Sequence, residues 1–160
     1  MNYHLHNHPE REITDPEEIA ALIKKGKYVT IALCRDNEPY IVTLSYGYDS
    51  EANALYFHAA HEGMKMDFLQ SNPNVCATII EDRGYIPNEC VHHYKTLIIR
   101  GSMHNVEDLD EKKHGMRILL NHLEKKPSVV QHLQLESEGM FTKMAVLKLE
   151  IAEIHVKAGK

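Results

Sequence analysis

Apolar and polar residues alternate, or apolar β-branched residues run together, in six segments of the chain. Such segments favour β-strands, and the turn residues between them separate one strand from the next. The predicted strands cover residues 28–34, 40–48, 54–60, 75–82, 93–106 and 143–157. Six strands with inserted helices predict a mainly β, α+β fold. We expect the sheet to close into a small barrel, because closure removes the exposed edges of apolar strands.

Apolar residues spaced three and four apart predict helices between these strands. The first helix has a clear start, because Asp15 can cap it and Pro16 fits its first turn. The predicted helices cover residues 15–25, 62–71, 108–123 and 129–135. Gly84, Pro87 and Cys90 predict an irregular loop between the fourth and fifth strands.

The composition fits a single folded domain. The chain has 160 residues, of which 43% are hydrophobic and 26% charged, and no repeat or linker divides it. We therefore expect one domain over residues 1–160, in which residues 1–10 form a flexible N-terminal segment.

The net charge and the cysteine content limit the classes of partner that the protein can bind and the compartment in which we expect it. The net charge of −5 gives no basic surface for nucleic acid or an anionic membrane. No apolar run is long enough to span a bilayer, and the polar first residues do not fit a signal peptide. The three scattered cysteines lack CxxC spacing, which favours reduced thiols. These observations predict a cytoplasmic protein without nucleic-acid or membrane partners.

The junction after the third predicted strand could hold a phosphate. Ala59 and Ala60 are small enough to let a ligand approach the backbone, and free N–H groups at the following helix start favour an anion. Lys65 adds a positive charge in the first turn. The alternative is an ordinary turn with a solvated lysine. Spacing alone favours that alternative, and Glu62 opposes an anion.

Four segments follow one another in an order that resembles a known family. They are REITDPEEI (11–19), EPYIVTLSYGYD (38–49), LYFHAAHEGMKMDFLQSNPNVC (55–76) and YKTLIIRGSMHNVED (94–108). Their order and spacing resemble the pyridoxamine 5'-phosphate oxidase-like FMN-binding split barrels, especially the 5-nitroimidazole-resistance (Nim-type) branch. The resemblance extends from Arg11 to about Ile154.

The resemblance implies a six-stranded split β-barrel that works as a homodimer with FMN at the subunit interface. The strand around Leu44 would lie along the isoalloxazine and ribityl groups, the end of the next strand would continue that contact, and Lys65 would bind the phosphate. Tyr94 and Thr96 would approach from the partner subunit or line its side of the site. The implied cofactor-binding residues are Thr43, Leu44, Ser45, His58, Ala59, Ala60, Lys65, Tyr94 and Thr96.

Three differences separate the chain from the oxidase itself. Met64 replaces an arginine beside the phosphate-binding lysine, tryptophan is absent, and the arginine-rich C-terminal segment is missing. The resemblance therefore implies an FMN-dependent oxidoreductase that reduces a small acceptor such as a nitroaromatic. Electrons would come from a transiently bound NAD(P)H or another donor, since no dinucleotide-binding glycine motif is present. The alternative is a non-catalytic flavin- or haem-binding split barrel. The sequence identifies no catalytic residue.

Two groups of histidines suggest other chemistry. His4, His6 and His8 alternate, but no carboxylate or cysteine nearby completes a ligand set, so we predict no metal site. His92 and His93 lie near Cys90, which allows a Cys–His pair, a loop that borders the flavin, or a simple surface excursion.

Overall fold

The strands form where apolar and polar side chains alternate, and the computed structural model describes residues 8–128, 138–141 and 143–159. In the first strand Val29, Ile31 and Leu33 are buried, and the residues between them face away from the core. The strands are β1 (Tyr28–Arg35), β2 (Glu38–Ser45), β3 (Gly47–Asp49), β4 (Ala54–Ala59), β5 (Asn74–Ile86), β6 (Val91–Asn105) and β7 (Ala145–Gly159).

Capping residues set the starts of the two longest helices. The side chain of Asp15 accepts a hydrogen bond from the Glu17 N–H at 3.1 Å, and that of Asp108 accepts one from the Glu111 N–H at 2.8 Å. The helices are α1 (Pro16–Lys25), α2 (Met64–Ser71), α3 (Leu109–Leu123) and the short α4 (Glu138–Phe141). Among the described residues, no helix is both long and apolar enough to cross a bilayer. The helix predicted over residues 129–135 lies outside the described residues.

All strands belong to one antiparallel sheet with the order β2-β1-β5-β6-β7-β4-β3. The sheet curls, because Cα atoms of β2 and β4 come within 8 Å of each other although the two strands are not neighbours in the sheet. Ile31, Phe57, Leu97 and Leu147 fill its interior together with Phe68 of α2. The predicted mainly β, α+β barrel is confirmed.

The strand count is seven rather than six, because the predicted strand over residues 40–48 divides at Tyr46. Tyr46 is fully buried, and its hydroxyl donates to the carbonyl of Ile23 at 2.5 Å. The chain therefore leaves one edge of the sheet at this residue. β2 pairs with β1, whereas β3 pairs with β4 at the other edge.

The prediction of an irregular loop after residue 82 is also wrong in part, because β5 and β6 form a long hairpin. β5 continues to Ile86, and residues 87–90 make the turn to β6. The pairing shifts register between Asp82 and Tyr85, where Gly84 adopts a φ of +97°. Glycine tolerates this left-handed conformation, so Gly84 forms a bulge within the hairpin. Pro87 and Cys90, which also suggested a loop, lie in the turn.

One face of β1, β2, β5 and β6, with the C-terminal half of β7, points away from the core, and we call it the outer face. Three large apolar side chains stand on it: Tyr28 is 66% exposed, Ile41 64% and Ile80 63%. Cross-strand pairing forms a continuous row on this face, which runs Thr43–Thr30–Thr78–Ile98–His155. Apolar side chains of this size on a flat sheet face are typical of a surface that another molecule covers.

Candidate functional site

Side chains of β5, β6 and β7 line a cavity of about 560 Å³ on the outer face, and we call this cavity the groove. Its walls come from residues far apart in the sequence that the strand register places side by side, such as Ile80, Thr96 and Lys157. The lining residues are Ile80, Asp82, His92, Tyr94, Thr96, Ile98, His155, Val156 and Lys157.

A hydrogen-bonded pair of side chains holds one end of the groove. His92 Nε2 donates to Asp82 Oδ1 at 2.9 Å, and the Gly84 N–H donates to the same oxygen at 2.7 Å. These two bonds, of which that from His92 has the larger effect, hold the pKa of Asp82 below its usual value. Edge-to-face contacts with Tyr85 at 6.1 Å and Tyr94 at 6.3 Å fix the imidazole between two rings.

Lys157 supplies a positive charge to the groove. Its side chain is half-buried opposite Thr96, and within the described part of the chain it makes no hydrogen bond or ion pair. Glu12 pairs with Lys157 through an isolated β-bridge, but the two side chains form no ion pair. The lysine is therefore available to a ligand with a negative charge.

Tyr94 and Thr96, which the resemblance implies as cofactor contacts, lie in the groove. His92 lines it too, whereas Cys90 is exposed in the turn with a φ of +54° and is absent from the lining. His92 hydrogen-bonds to Asp82 rather than to Cys90, and the alternative in which this loop borders the flavin stays a prediction. The sequence analysis missed Asp82, His155 and Lys157. Each stands at an alternate position of its strand, on the face that also carries Tyr94 and Thr96, and this spacing of two residues could have indicated them.

The other residues implied as cofactor contacts lie elsewhere in the chain, and we call them the β2–α2 group. On β2, Thr43 and Ser45 are exposed on the outer face, and Leu44 turns inward against the core. Thr43 Oγ1 lies 3.0 Å from Thr30 Oγ1. The group comprises Thr43, Leu44, Ser45, His58, Ala59, Ala60 and Lys65.

The end of β4 and the start of α2 complete the β2–α2 group. Ala59 is buried in the core cluster against which Leu44 packs, and His58 and Ala60 are exposed on either side of it. Gly63 begins α2 with a φ of +125°, which residues with a Cβ rarely adopt. Lys65 follows in the first turn, half-buried and with no polar partner among the described residues.

The β2–α2 group and the groove are separated within one chain. Thr43 and Ile98 occupy the same cross-strand row but stand on strands that are three positions apart. At the usual strand spacing this separation is about 14 Å. The fold thus brings β2, β4 and α2 together, and it places Tyr94 and Thr96 in the groove. Within one chain it keeps the β2–α2 group apart from the groove.

A second polar cluster fixes α3 to the sheet. His114 Nε2 donates to Asp49 Oδ2 at 2.7 Å, and Glu111 accepts from Lys148 Nζ at 2.8 Å and from the Tyr56 hydroxyl at 3.2 Å. The bond from Lys148 is the main reason that the pKa of Glu111 is lowered. Every polar atom named here has a partner, so we interpret the cluster as structural.

The described residues hold no group of three or more His, Cys, Asp or Glu side chains that could bind a metal ion. His4 and His6 lie outside the described residues, and His8 pairs with Glu10 at 3.0 Å.

Comparisons with known proteins agree with this architecture. The family model for pyridoxamine 5'-phosphate oxidase matches residues 15–158. A relative from Rhizobium meliloti (strain 1021), the uncharacterized protein RA0666, is 30% identical over 112 residues, which are 70% of this chain and 68% of that protein.

Two solved structures share the fold. A candidate 5-nitroimidazole antibiotic resistance protein of Bacteroides thetaiotaomicron VPI-5482 has a TM-score of 0.79 and 25% identity, over 92% of this chain and 86% of that one. The FAD and haem binding protein of Mycobacterium smegmatis has a TM-score of 0.78 and 16% identity, over 94% and 74%. The second likeness shows the fold alone.

The family match begins at the N-cap of α1 and ends one residue before the end of β7. It therefore includes the curled sheet except for Gly159, together with the β2–α2 group and the groove. On this evidence the chain belongs to the pyridoxamine 5'-phosphate oxidase family.

Proposed function

We propose that the protein is a homodimeric FMN-binding oxidoreductase that reduces a small acceptor such as a nitroaromatic. The observation that carries the proposal is the separation of the β2–α2 group from Tyr94 and Thr96 on one chain. A second copy, packed through the outer face, would place its groove against the β2–α2 group of the first. The cofactor would then lie between two subunits, as the family resemblance implies.

The start of α2 fits the phosphate of a flavin nucleotide. The N–H groups of Met64 and Lys65 lie before the first helical hydrogen bonds, which run from Met66 and Asp67 to the Gly63 carbonyl. Free amides at a helix start attract an anion, and the Lys65 ammonium adds a charge without an acidic partner in the described residues. A single lysine at this point suits one phosphate group, which supports FMN rather than a dinucleotide.

Residues along β2 and β4 would hold the remainder of the cofactor. Thr43 and Ser45 present hydroxyls on the outer face, and the small, exposed Ala60 leaves the backbone open to close approach, whereas Ala59 is buried in the core. When bound, FMN would supply the electron transfer, and the protein would bind it, orient it and limit the access of water. Electrons would come from NAD(P)H or another donor that binds transiently.

The outer face supports the homodimer. Tyr28, Ile41 and Ile80 are each more than 60% exposed there, and several large apolar side chains exposed on one sheet face suit a subunit contact. Two-fold dimers are also the commonest symmetric assembly, and a two-fold axis would complete two equivalent sites. The three cysteines, all free, fit the reducing cytoplasm.

The absorption spectrum of the purified protein tests the cofactor. We expect the near-ultraviolet and blue bands of a flavin, and FMN as the nucleotide released on denaturation. A single dominant Soret band would instead identify a haem protein and would overturn the proposal. Released FAD would contradict the assignment of FMN.

Anaerobic stopped-flow measurements test turnover. We expect reduced protein to be reoxidised by a nitroimidazole faster than free reduced FMN is, because a bound acceptor is held against its reaction partner. Reoxidation no faster than that of free flavin, across a panel of nitroaromatics and quinones, would favour the alternative of a non-catalytic flavin-binding protein.

A further inference from the structure

We propose that the two-fold axis of the dimer runs along the strands between β1 and β5, so that Thr78 faces Thr78 of the partner subunit. The proposal deepens the proposed function and rests on it in one respect, namely that β2 of one subunit meets β6 of the other. It goes further by naming the residues that contact their own copies.

The position of the axis follows from the two halves of the site. In a two-fold contact, residue i of one subunit meets residue j of the other and j meets i, so the midpoint between i and j on one subunit lies at the axis. The proposed function places Thr43 on β2 opposite Thr96 on β6 of the partner subunit. The two strands between β2 and β6 are β1 and β5. The midpoint therefore lies beside the cross-strand pair Thr30–Thr78.

The direction of the axis follows from the same contact. Two sheets that pack through the same face are related by an axis in the plane between them, perpendicular to the line that joins the two contact residues. The line from Thr43 to Thr96 crosses the strands. The axis therefore runs along the strands, over the boundary between β1 and β5.

The outward-facing side chains around this boundary are uncharged. On β1, on β2 and on β5 before Asp82, all of which the structure describes, the positions in register with the Thr30–Thr78 pair or an even number of residues from it are neither acidic nor basic. Charged outward positions lie to one side, at Asp82, Arg100 and Lys157. A charge near a two-fold axis would face an identical charge, which opposes association. The neutral region thus suits self-contact.

The sizes of the side chains suit the same position. Thr30 and Thr78 are small and half-buried, whereas Tyr28, Ile41 and Ile80 are each more than 60% exposed. Two copies can approach closely over the threonine pair, while the large apolar side chains around it are removed from water.

The Thr78 hydroxyl is incomplete on one chain. Its Oγ1 is buried and has no hydrogen-bond partner among the described residues, although buried polar atoms in native proteins usually have one. The side chain as a whole is only half-buried, so rotation about its Cα–Cβ bond can turn the hydroxyl outward. There the partner subunit, or a water held between the two, can satisfy it.

Charge complementation at Thr78 tests the proposal. Thr78→Lys and Thr78→Glu should each raise the dissociation constant of the dimer about tenfold or more, because each new charge faces an identical one. An equal mixture of the two variants should restore the dimer, since opposite charges then face each other. Sedimentation over a concentration series measures the dissociation constants of the two variants and of their mixture.

Ile41→Lys and Ile41→Glu are the matched control on the same face. Ile41 stands on the edge strand β2, so it lies three strand spacings from its own copy, about 14 Å. Each charge should weaken the dimer, but the mixture should remain as weak as its components. Thr30→Lys and Thr30→Glu repeat the test on β1 if a charge at Thr78 disturbs the fold, which circular dichroism detects.

A Thr78 mixture that associates as weakly as its components would overturn the proposal, as would a dimer that neither charge weakens or complementation at Ile41 equal to that at Thr78. Added FMN separates these results from the proposed function. Restored dimers that bind no FMN would support the axis and contradict the shared cofactor site. A flavin-binding dimer without complementation at Thr78 would contradict the axis alone. An unmodified protein that stays monomeric would contradict both.

Discussion

The ring of Tyr94 lies directly over Gly159, its cross-strand partner on β7. A Cβ built on Gly159 would stand 2.3 Å from Cε1 and 2.5 Å from Cδ1 of the tyrosine, far inside van der Waals contact. The absent side chain at position 159 therefore decides where the ring lies, and the ring forms one wall of the groove. A glycine at the end of a strand thus shapes a site that is lined by other residues.

Gly159→Ala should displace the Tyr94 ring from its position. We expect a loss of stability of about 1–3 kcal/mol, as is usual when a side chain is forced into packed space, and weaker binding of FMN, because Tyr94 is one of the implied cofactor contacts. Chemical denaturation measures the first effect and calorimetry the second. In a Tyr94→Leu background the same substitution should cost much less, because the clash is gone. An equal cost in both backgrounds would show that Gly159 acts through something other than Tyr94.

Lys65→Ala should weaken FMN binding by about ten- to a hundredfold, the amount expected from one charge-assisted hydrogen bond. Fluorescence quenching of added FMN gives the dissociation constant. Riboflavin lacks the phosphate, so its affinity should hardly change between the two proteins. Lys143→Ala serves as the control for loss of one positive charge. An FMN affinity unaffected by Lys65→Ala would remove this residue from the cofactor site.

The protein should migrate as a dimer of about twice the 18.4 kDa chain mass, and dilution to monomer should release the cofactor. Ile41→Glu places a charge on the outer face at β2, an edge strand of the sheet, and should shift the equilibrium towards monomer. Leu109→Glu makes the same change at an exposed leucine at the start of α3 and should leave the dimer intact. Analytical ultracentrifugation over a concentration series distinguishes them. A monomer that keeps stoichiometric FMN would contradict a site shared between subunits.

The Asp49 carboxylate should stabilise the fold at neutral pH. Burial raises its pKa, but hydrogen bonds from His114 and from the N–H groups of Ala52 and Glu51 outweigh burial, and the net pKa is lowered. A carboxyl group whose pKa is lower in the folded state stabilises the protein above its unfolded value of about 3.8, and the contribution is lost as the pH falls through the lower folded value.

Asp49→Asn should therefore cost about 1–2 kcal/mol of unfolding free energy at pH 7, and the difference from the unmodified protein should shrink below pH 4. Urea denaturation at a series of pH values measures this. Glu51→Gln changes an exposed carboxylate in the same turn and should have little effect at any pH. A cost for Asp49→Asn that is constant down to pH 3 would argue against the ionised carboxylate as its origin.

The local elements could be predicted because their signals lie within a few residues of each other. The side chains of Asp15 and Asp108 cap the helices that follow them, as the sequence indicates. Alternation along residues 28–34 predicted a strand with one buried face, and β1 has this pattern. Turn residues before residue 40 predicted the boundary between β1 and β2. Each of these features depends on backbone geometry and on neighbours within one turn or one strand.

Two boundaries could not be predicted in this way. Tyr46 divides a continuous β-like segment because its hydroxyl reaches Ile23 on α1, a contact between residues 23 positions apart. Gly84 and Pro87 have the composition of a loop, but pairing with β6 carries β5 past Gly84 through a bulge, and only the turn at residues 87–90 contains Pro87. In both cases long-range contacts outweighed a local preference.

The sequence by itself determined the mainly β character and the capped start of α1, whereas the flavin phosphate site at the start of α2 stays a prediction. Only the tertiary structure decided that Ile80, Thr96 and Lys157 form one row, since no local pattern sets the register between strands that lie tens of residues apart. It also decided that Thr43 and Tyr94 stand on the same face, on strands that are three positions apart. Register follows from the packing of the whole core, and so the groove exists only once β5, β6 and β7 have paired.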